Sequence, residues 1–192
     1  MPRLLGENRQ KYNNSCLGQM AWWAKTMRES IPASLQVASG ERPFARNFGA
    51  EGVDLQLLQA DVEGGFFVVR IRFAPGTLLP PHKHTGAVHA YTLSGEWSYL
   101  EYADSPPNRA GSYLYEPPGA VHTLKVADHV PGATDVVFVI EGAMLILDEG
   151  GNVVAVLDAA SHARDWPVAL REQGVAVPEI IAGGSIHYAL PR

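Results

Sequence analysis

Of the seven histidines in this 192-residue chain, His82, His84, His89 and His122 fall in two short segments rich in glycine and proline. The first reads Pro75-Gly76-Thr77-Leu78-Leu79-Pro80-Pro81-His82-Lys83-His84-Thr85-Gly86-Ala87-Val88-His89, and the second runs from Gly111 through Glu116-Pro117-Pro118-Gly119 to His122. Neutral imidazole is the commonest metal ligand among side chains. Alternate residues of a strand share a face, so His82 and His84 project together, about 6 to 7 Å apart along it, which suits two ligands of one ion. His89 can open a second strand after the Thr85-Gly86 turn, and His122 follows a Pro-Gly turn, so two further imidazoles can reach the same point. The implied chemistry is a mononuclear metal site. Imidazole binds iron, zinc, copper and nickel, so the histidines alone leave the metal open. His129, His162 and His187 lack this setting and read as surface or satisfied core residues.

Strands must position these side chains. Val53, Leu55 and Leu57 alternate, as do Phe67, Val69, Ile71 and Phe73 with Arg70 and Arg72 between them, and period two means β structure. Further strands are expected over 88–93, 96–102, 112–116, 121–126, 135–140, 143–147 and 153–157. Turn residues separate them at Ser94-Gly95, 103–110, Pro117-Pro118-Gly119, Pro131-Gly132 and Gly150-Gly151-Asn152. Short, regularly spaced strands without intervening helices indicate an all-β antiparallel sandwich or barrel of the jelly-roll kind. Residues 1–42 form a separate extension, partly helical, with Ser15 capping a helix through Met20, Trp23 and Met27 that ends before Pro32. Residues 43–160 hold the strands. Residues 161–192 carry a helix at 166–173, capped by Asp165 and closed by Gly174, and a tail.

Composition narrows the function classes. A hydrophobic fraction of 46% with 18% charged residues describes a soluble globular chain, and this length suits a single domain with extensions. Net charge is -5 and the basic residues are scattered, so nucleic acid is not an expected partner. No apolar run approaches the roughly 20 residues a bilayer requires. The N-terminus lacks the apolar block of a signal peptide, and the single Cys16 cannot form an internal disulfide. A cytoplasmic protein with no membrane partner is expected. Open sheet edges, with Trp22 and Trp23 on the extension, make a homo-oligomer, dimer or tetramer, the expected assembly.

The two histidine segments resemble the two characteristic motifs of the cupin superfamily. In the first, Gly76 leads to His82, His84 and His89, with Gly95 closing; in the second, Gly111, Pro117, Gly119 and His122 fall at the expected spacing. The resemblance implies a single-domain jelly-roll β-barrel whose mouth holds one divalent metal. Two departures stand out. His89 occupies the place of the usual glutamate ligand, as a ligand itself or as a hydrogen-bond partner of one, and Val126 stands where many members have Asn. An all-histidine set leaves iron(II) its full charge, which an anionic chelating substrate can neutralise.

Over roughly residues 45 to 160, the runs from His82 to Leu93, Gly95 to Glu101 and Gly111 to Leu124 are similar to the 2,4'-dihydroxyacetophenone dioxygenase group of cupins. They are similar more distantly to acetylacetone-cleaving dioxygenases. Both groups cleave a carbon-carbon bond beside a ketone with molecular oxygen and non-haem iron(II). The resemblance therefore implies an oxygen-dependent enzyme using Fe(II), with zinc, manganese and nickel as alternatives, acting on a small hydroxyketone or 1,3-diketone. Glu116 matches a functional glutamate of the acetylacetone-cleaving enzymes and is the candidate for substrate enolisation. Tyr91, sharing the strand parity of His89, is a second catalytic candidate, and Trp97, Tyr99 and Tyr115 are candidates to line the cavity. The same fold also serves metal-dependent isomerases and hydrolases and non-catalytic metal or ligand sensors.

Overall fold

A computed structural model of the chain describes residues 34–182, of which residues 37–182 belong to one compact unit. The helix expected in the N-terminal extension, Cys16, Trp22, Trp23 and His187 lie outside the described residues.

Twelve strands and one helix form the unit. They are β1 (Val53–Asp61), β2 (Phe66–Phe73), β3 (His82–His84), β4 (Val88–Ser94), β5 (Glu96–Tyr99), β6 (Asn108–Arg109), β7 (Tyr113–Glu116), β8 (Val121–His122), β9 (Leu124–Val126), β10 (Thr134–Glu141), β11 (Met144–Leu147), β12 (Val153–Leu157) and α1 (Ala159–Glu172). They assemble into a five-stranded sheet ordered β1-β2-β10-β4-β7, a four-stranded sheet β12-β11-β3-β8 and a three-stranded sheet β6-β5-β9. All pairings are antiparallel. None of the sheets closes on itself into the expected jelly-roll β-barrel. Residues of all three sheets instead line one internal cavity, so the enclosure comes from open sheets facing one another.

The alternation in the sequence explains which faces turn inward. Leu55 and Leu57 of β1, Phe67, Val69 and Phe73 of β2, and Val136, Phe138 and Ile140 of β10 are all buried. In β1 a register shift between Leu57 and Gln59 moves the buried positions from Leu57 to Ala60, because one extra residue reverses strand parity. On the opposite face of the same sheet, Arg70 clamps Asp135 through two hydrogen bonds of 2.7 Å and Arg72 adds a third at 3.0 Å. The Arg72 guanidinium also lies 4.2 Å from the centre of the Phe44 ring.

Two expected strands are each divided. The 96–102 segment ends its pairing at Tyr99 and continues as a 3-10 turn, Leu100–Tyr102. The 121–126 segment breaks at Thr123, where the chain passes from the four-stranded sheet to the three-stranded one. The Thr123 amide donates to the Glu101 carboxylate at 2.8 Å and its carbonyl accepts from Leu100, so the crossing leaves neither group unpaired. Gly95, at φ +81, joins β4 to β5; a Cβ there would sit 2.6 Å from the Thr134 Cα, so the turn requires glycine twice over.

The helix begins earlier than the sequence pattern indicates. Asp158, not Asp165, is its cap: its carboxylate accepts from the Ser161 amide at 2.8 Å, and the Ser161 hydroxyl accepts from the Asp158 amide at 2.7 Å. Pro167 lies inside the helix, although proline reads from sequence as a first-turn residue. Trp166, fully buried, donates its indole N–H to the Leu55 carbonyl at 3.0 Å and fastens the helix onto β1. No helix among the described residues is long and apolar enough to cross a membrane.

Candidate metal centre

His82 and His84 are the two buried positions of β3, with Lys83 between them on the other face. His122 on β8 pairs directly with His82 across the antiparallel ladder and therefore presents its ring on the same side. The Pro-Gly turn before it is tied to the same place, since the Gly119 amide, at φ +87, donates to the His84 carbonyl at 2.8 Å. Backbone bonds thus join the two sequence segments. Ring centroids are 4.6 Å apart for His82 and His122, 5.4 Å for His82 and His84, and 5.7 Å for His84 and His122. One nitrogen from each of the three lies within 4.8 Å of the other two, a spacing at which one ion can be shared.

A carboxylate completes the cluster. Val88 of β4 pairs with Glu116 of β7 and both are buried, so Glu116 enters the interior from the neighbouring strand. Its Oε2 lies 3.2 Å from His122 Nε2 and 3.4 Å from His84 Nε2. The group whose ligand atoms could share an ion is histidine alone, and an acid from the second motif stands beside it. Tyr99 on β5 donates its hydroxyl to Glu116 Oε1 and stacks on the His122 ring at 4.0 Å between centroids, holding carboxylate and imidazole together.

His89 and Tyr91 stand apart from this cluster. In β4 the buried positions are Val88, Ala90 and Thr92, so strand parity places His89 and Tyr91 on the opposite face. There His89 Nδ1 bonds the Tyr113 hydroxyl at 2.8 Å, and Tyr91, about half exposed, packs beside Tyr113. Tyr115 is likewise exposed, whereas Trp97 is buried, its indole donating to the Thr92 hydroxyl at 2.9 Å. Of the aromatic residues proposed as cavity lining, Tyr99 alone lines it.

The electrostatics of the cluster follow from burial. Removal from water pushes the His82 imidazole below its ordinary value and brings His84 down to about 4, so both are neutral and free to donate lone pairs at neutral pH. His82 Nδ1 sits 2.9 Å from the Pro80 carbonyl; a carbonyl only accepts, so Nδ1 carries the proton and Nε2 keeps its lone pair. Burial also opposes ionisation of Glu116, but the His122 imidazole and the Tyr99 hydroxyl hold its carboxyl below the ordinary glutamate value.

His84 Nδ1, His122 Nε2 and Glu116 Oε2 are buried with no hydrogen-bond partner. The approach of His122 to Glu116 is close enough for charge attraction but lacks hydrogen-bond geometry. Orphaned polar atoms inside a protein are costly, and His122 Nε2 and Glu116 Oε2, 3.2 Å apart, mark a place suited to a cation. The three imidazoles fit a divalent first-row metal ion, with the Glu116 carboxylate beside them.

Two residues have roles that the sequence did not signal. Tyr99 was a candidate for the cavity lining, but its bond to Glu116 had no signal because the contact spans different sheets. His162, set aside as a surface or satisfied core residue, lines the same cavity as His82 and His84 of the His82, His84 and His122 triad.

A family model described as the ChrR cupin-like domain matches residues 36–145. The chain belongs to this cupin family. A protein of unknown function with a cupin-like fold from Ralstonia eutropha JMP134 is 34% identical, with 84% of this chain and 98% of that one covered at a TM-score of 0.72. An RmlC-like cupin from the same organism is 24% identical, over 80% of this chain and 96% of that one, at 0.71. An acetylacetone dioxygenase from Acinetobacter johnsonii shares the fold at 20% identity, over 72% of this chain and 93% of that one, at 0.61. No curated protein sequence matches the chain.

Proposed function

We propose that this cupin is a non-haem Fe(II) dioxygenase that cleaves the carbon-carbon bond beside a ketone in a small hydroxyketone, of the 2,4'-dihydroxyacetophenone type, or a 1,3-diketone. The observation that carries the reading is the group of three histidines that could share an ion, of which His82 and His84 line, with Glu116, an apolar cavity of about 470 Å³. The fold it shares with an acetylacetone dioxygenase supports the same reaction class. For an aryl hydroxymethyl ketone, cleavage between the carbonyl and carbinol carbons consumes one O2 and yields two carboxylic acids, so the reaction balances without an external reductant.

His82, His84 and His122 would hold the ion. Bound there, iron(II) supplies Lewis acidity toward the substrate oxygens and a redox partner for O2. The remaining work falls to this chain's side chains. Glu116 takes the proton from the carbon next to the ketone: Tyr99 occupies its Oε1, leaving Oε2 as the acceptor, and a carboxyl held below its ordinary value is ionised at neutral pH. Phe67, Val69, Phe138 and Leu157 exclude water, which strengthens each polar contact inside the cavity.

The test is anaerobic reconstitution with Fe(II), then oxygen uptake and product analysis across hydroxyacetophenones and 1,3-diketones. Stoichiometric uptake with paired acid or carbonyl products is expected. Absence of uptake on every substrate, with tight zinc binding, would overturn the reading in favour of an isomerase, a hydrolase or a sensor.

A further inference from the structure

The cavity that His82, His84 and Glu116 line also reaches the first turns of α1, where His162 contributes to its lining. His162 is about 95% buried. Its ring stacks on Phe67 at 4.3 Å between centroids and 24° between planes, which fixes its plane. Its Nδ1 lies 2.8 Å from the Asp158 carbonyl, an acceptor only, so Nδ1 bears the proton. Asp158 is itself locked by the capping box, so the orientation is set by the helix start. His162 Nε2 is thus a lone-pair acceptor, with no hydrogen bond to it among the described residues. Burial lowers the ring's proton affinity and keeps it neutral.

Much of the remaining lining is apolar, with Phe67, Val69, Phe138, Ile140 and Leu157. A ligand filling the space must be apolar along its body, and a volume of about 470 Å³ exceeds what a five-carbon diketone requires. Ser161 and Asp165 line the same end, but Ser161 is engaged with Asp158 and Asp165 with Arg164, so His162 Nε2 is the acceptor there that meets what such a body carries at its far end.

We infer that His162 is a specificity-determining residue that accepts a hydrogen bond from a donor group, a hydroxyl or an N–H, at the end of an aryl or long apolar ketone remote from the triad. The inference rests on the proposed function only in placing the ketone at the triad. A site built around an acceptor rejects a ligand lacking the donor, because the buried nitrogen is then left unpaired.

The experiment measures binding rather than turnover. Calorimetric titration of the zinc-loaded protein with 4-hydroxyphenyl, phenyl and 4-methoxyphenyl methyl ketones compares one donor with two ligands lacking it. About tenfold tighter binding of the hydroxyl compound is expected. His162→Phe, which keeps the stacking on Phe67 and removes the acceptor, is expected to abolish that preference. His162→Gln, whose amide oxygen accepts, is expected to restore part of it. Metal content and circular dichroism of both variants serve as controls for folding. Equal affinities in the parent protein, a preference surviving in His162→Phe, or no binding of any aryl ketone would each overturn the inference. Oxygen uptake by the unaltered iron-loaded protein is a separate measurement, so the proposed function can fail while this assignment stands, and the reverse.

Discussion

Replacing Tyr99 with phenylalanine removes one oxygen atom from the interior while keeping the ring that stacks on His122. That hydroxyl donates to Glu116 Oε1, and Glu116 Oε2 has no hydrogen-bond partner, so the variant strips the buried carboxylate of its one hydrogen bond within the described residues. A hydrogen bond to a charged group contributes about 1.5 to 3 kcal/mol, and both partners here are more than nine-tenths buried, so little solvent screening reduces it. A loss of about 2 kcal/mol in the metal-free protein corresponds to a fall of about 4 to 8 °C in Tm for a domain of this size. The sign with pH follows. Glu116 has a folded-state value below the ordinary one, so its stabilising contribution is present above about pH 4.5 and lost as pH falls through the folded value. The deficit of Tyr99→Phe should accordingly be full at pH 7 and shrink below pH 4.5. Thermal unfolding followed by circular dichroism after EDTA treatment, at pH 7 and pH 4, measures both. An unchanged Tm at pH 7, or a deficit as large at pH 4, would refute the view that this hydroxyl supports an ionised buried carboxylate.

His82→Ala and His122→Ala should each weaken metal binding about a hundredfold or more, whereas His89→Ala should retain the parent's metal content; elemental analysis after dialysis against a buffered metal checks all three. Metal-free protein should lose up to about 3 kcal/mol as pH falls from 6.5 toward 4. The unfolded chain protonates His84 near 6.5 and the fold resists until about 4, so stability is full above 6.5 and drains on acidification, as urea titrations at pH 7.5 and 4.5 would show. Gly95→Ala combines a left-handed backbone with a Cβ 2.6 Å from the Thr134 Cα, and should cost about 2 to 5 kcal/mol in the same titrations.

Much of the metal centre was legible because it is built from short-range pattern. Residues two apart on a strand share a face, which brings His82 and His84 together from sequence alone, and the Pro-Gly turn before His122 marks where the second segment folds back. The alternating Leu55, Leu57, Phe67, Val69 and Phe138 announced a β fold with one apolar side for the same reason. Parity could not be assigned to β4, where one residue more or less in the turn after His84 exchanges the faces; the fold turns Val88 inward and sends His89 and Tyr91 outward.

Whatever depended on contacts between sheets was decided by tertiary structure. Glu116 meets His84 and His122 because β7 pairs with β4 while β8 pairs with β3, and no spacing in the chain encodes that meeting. Tyr99 reaches the carboxylate from a third sheet. His162 faces the cavity because a cap at Asp158 starts the helix early enough to turn it onto Phe67. The sequence by itself determined most of the strands and turns and the three histidines that could share an ion, since those follow from local geometry. The acid beside them, the hydroxyl that supports it and the acceptor at the helix exist as a site only once separate strands are folded onto one cavity, because burial and proximity are properties of the packed chain.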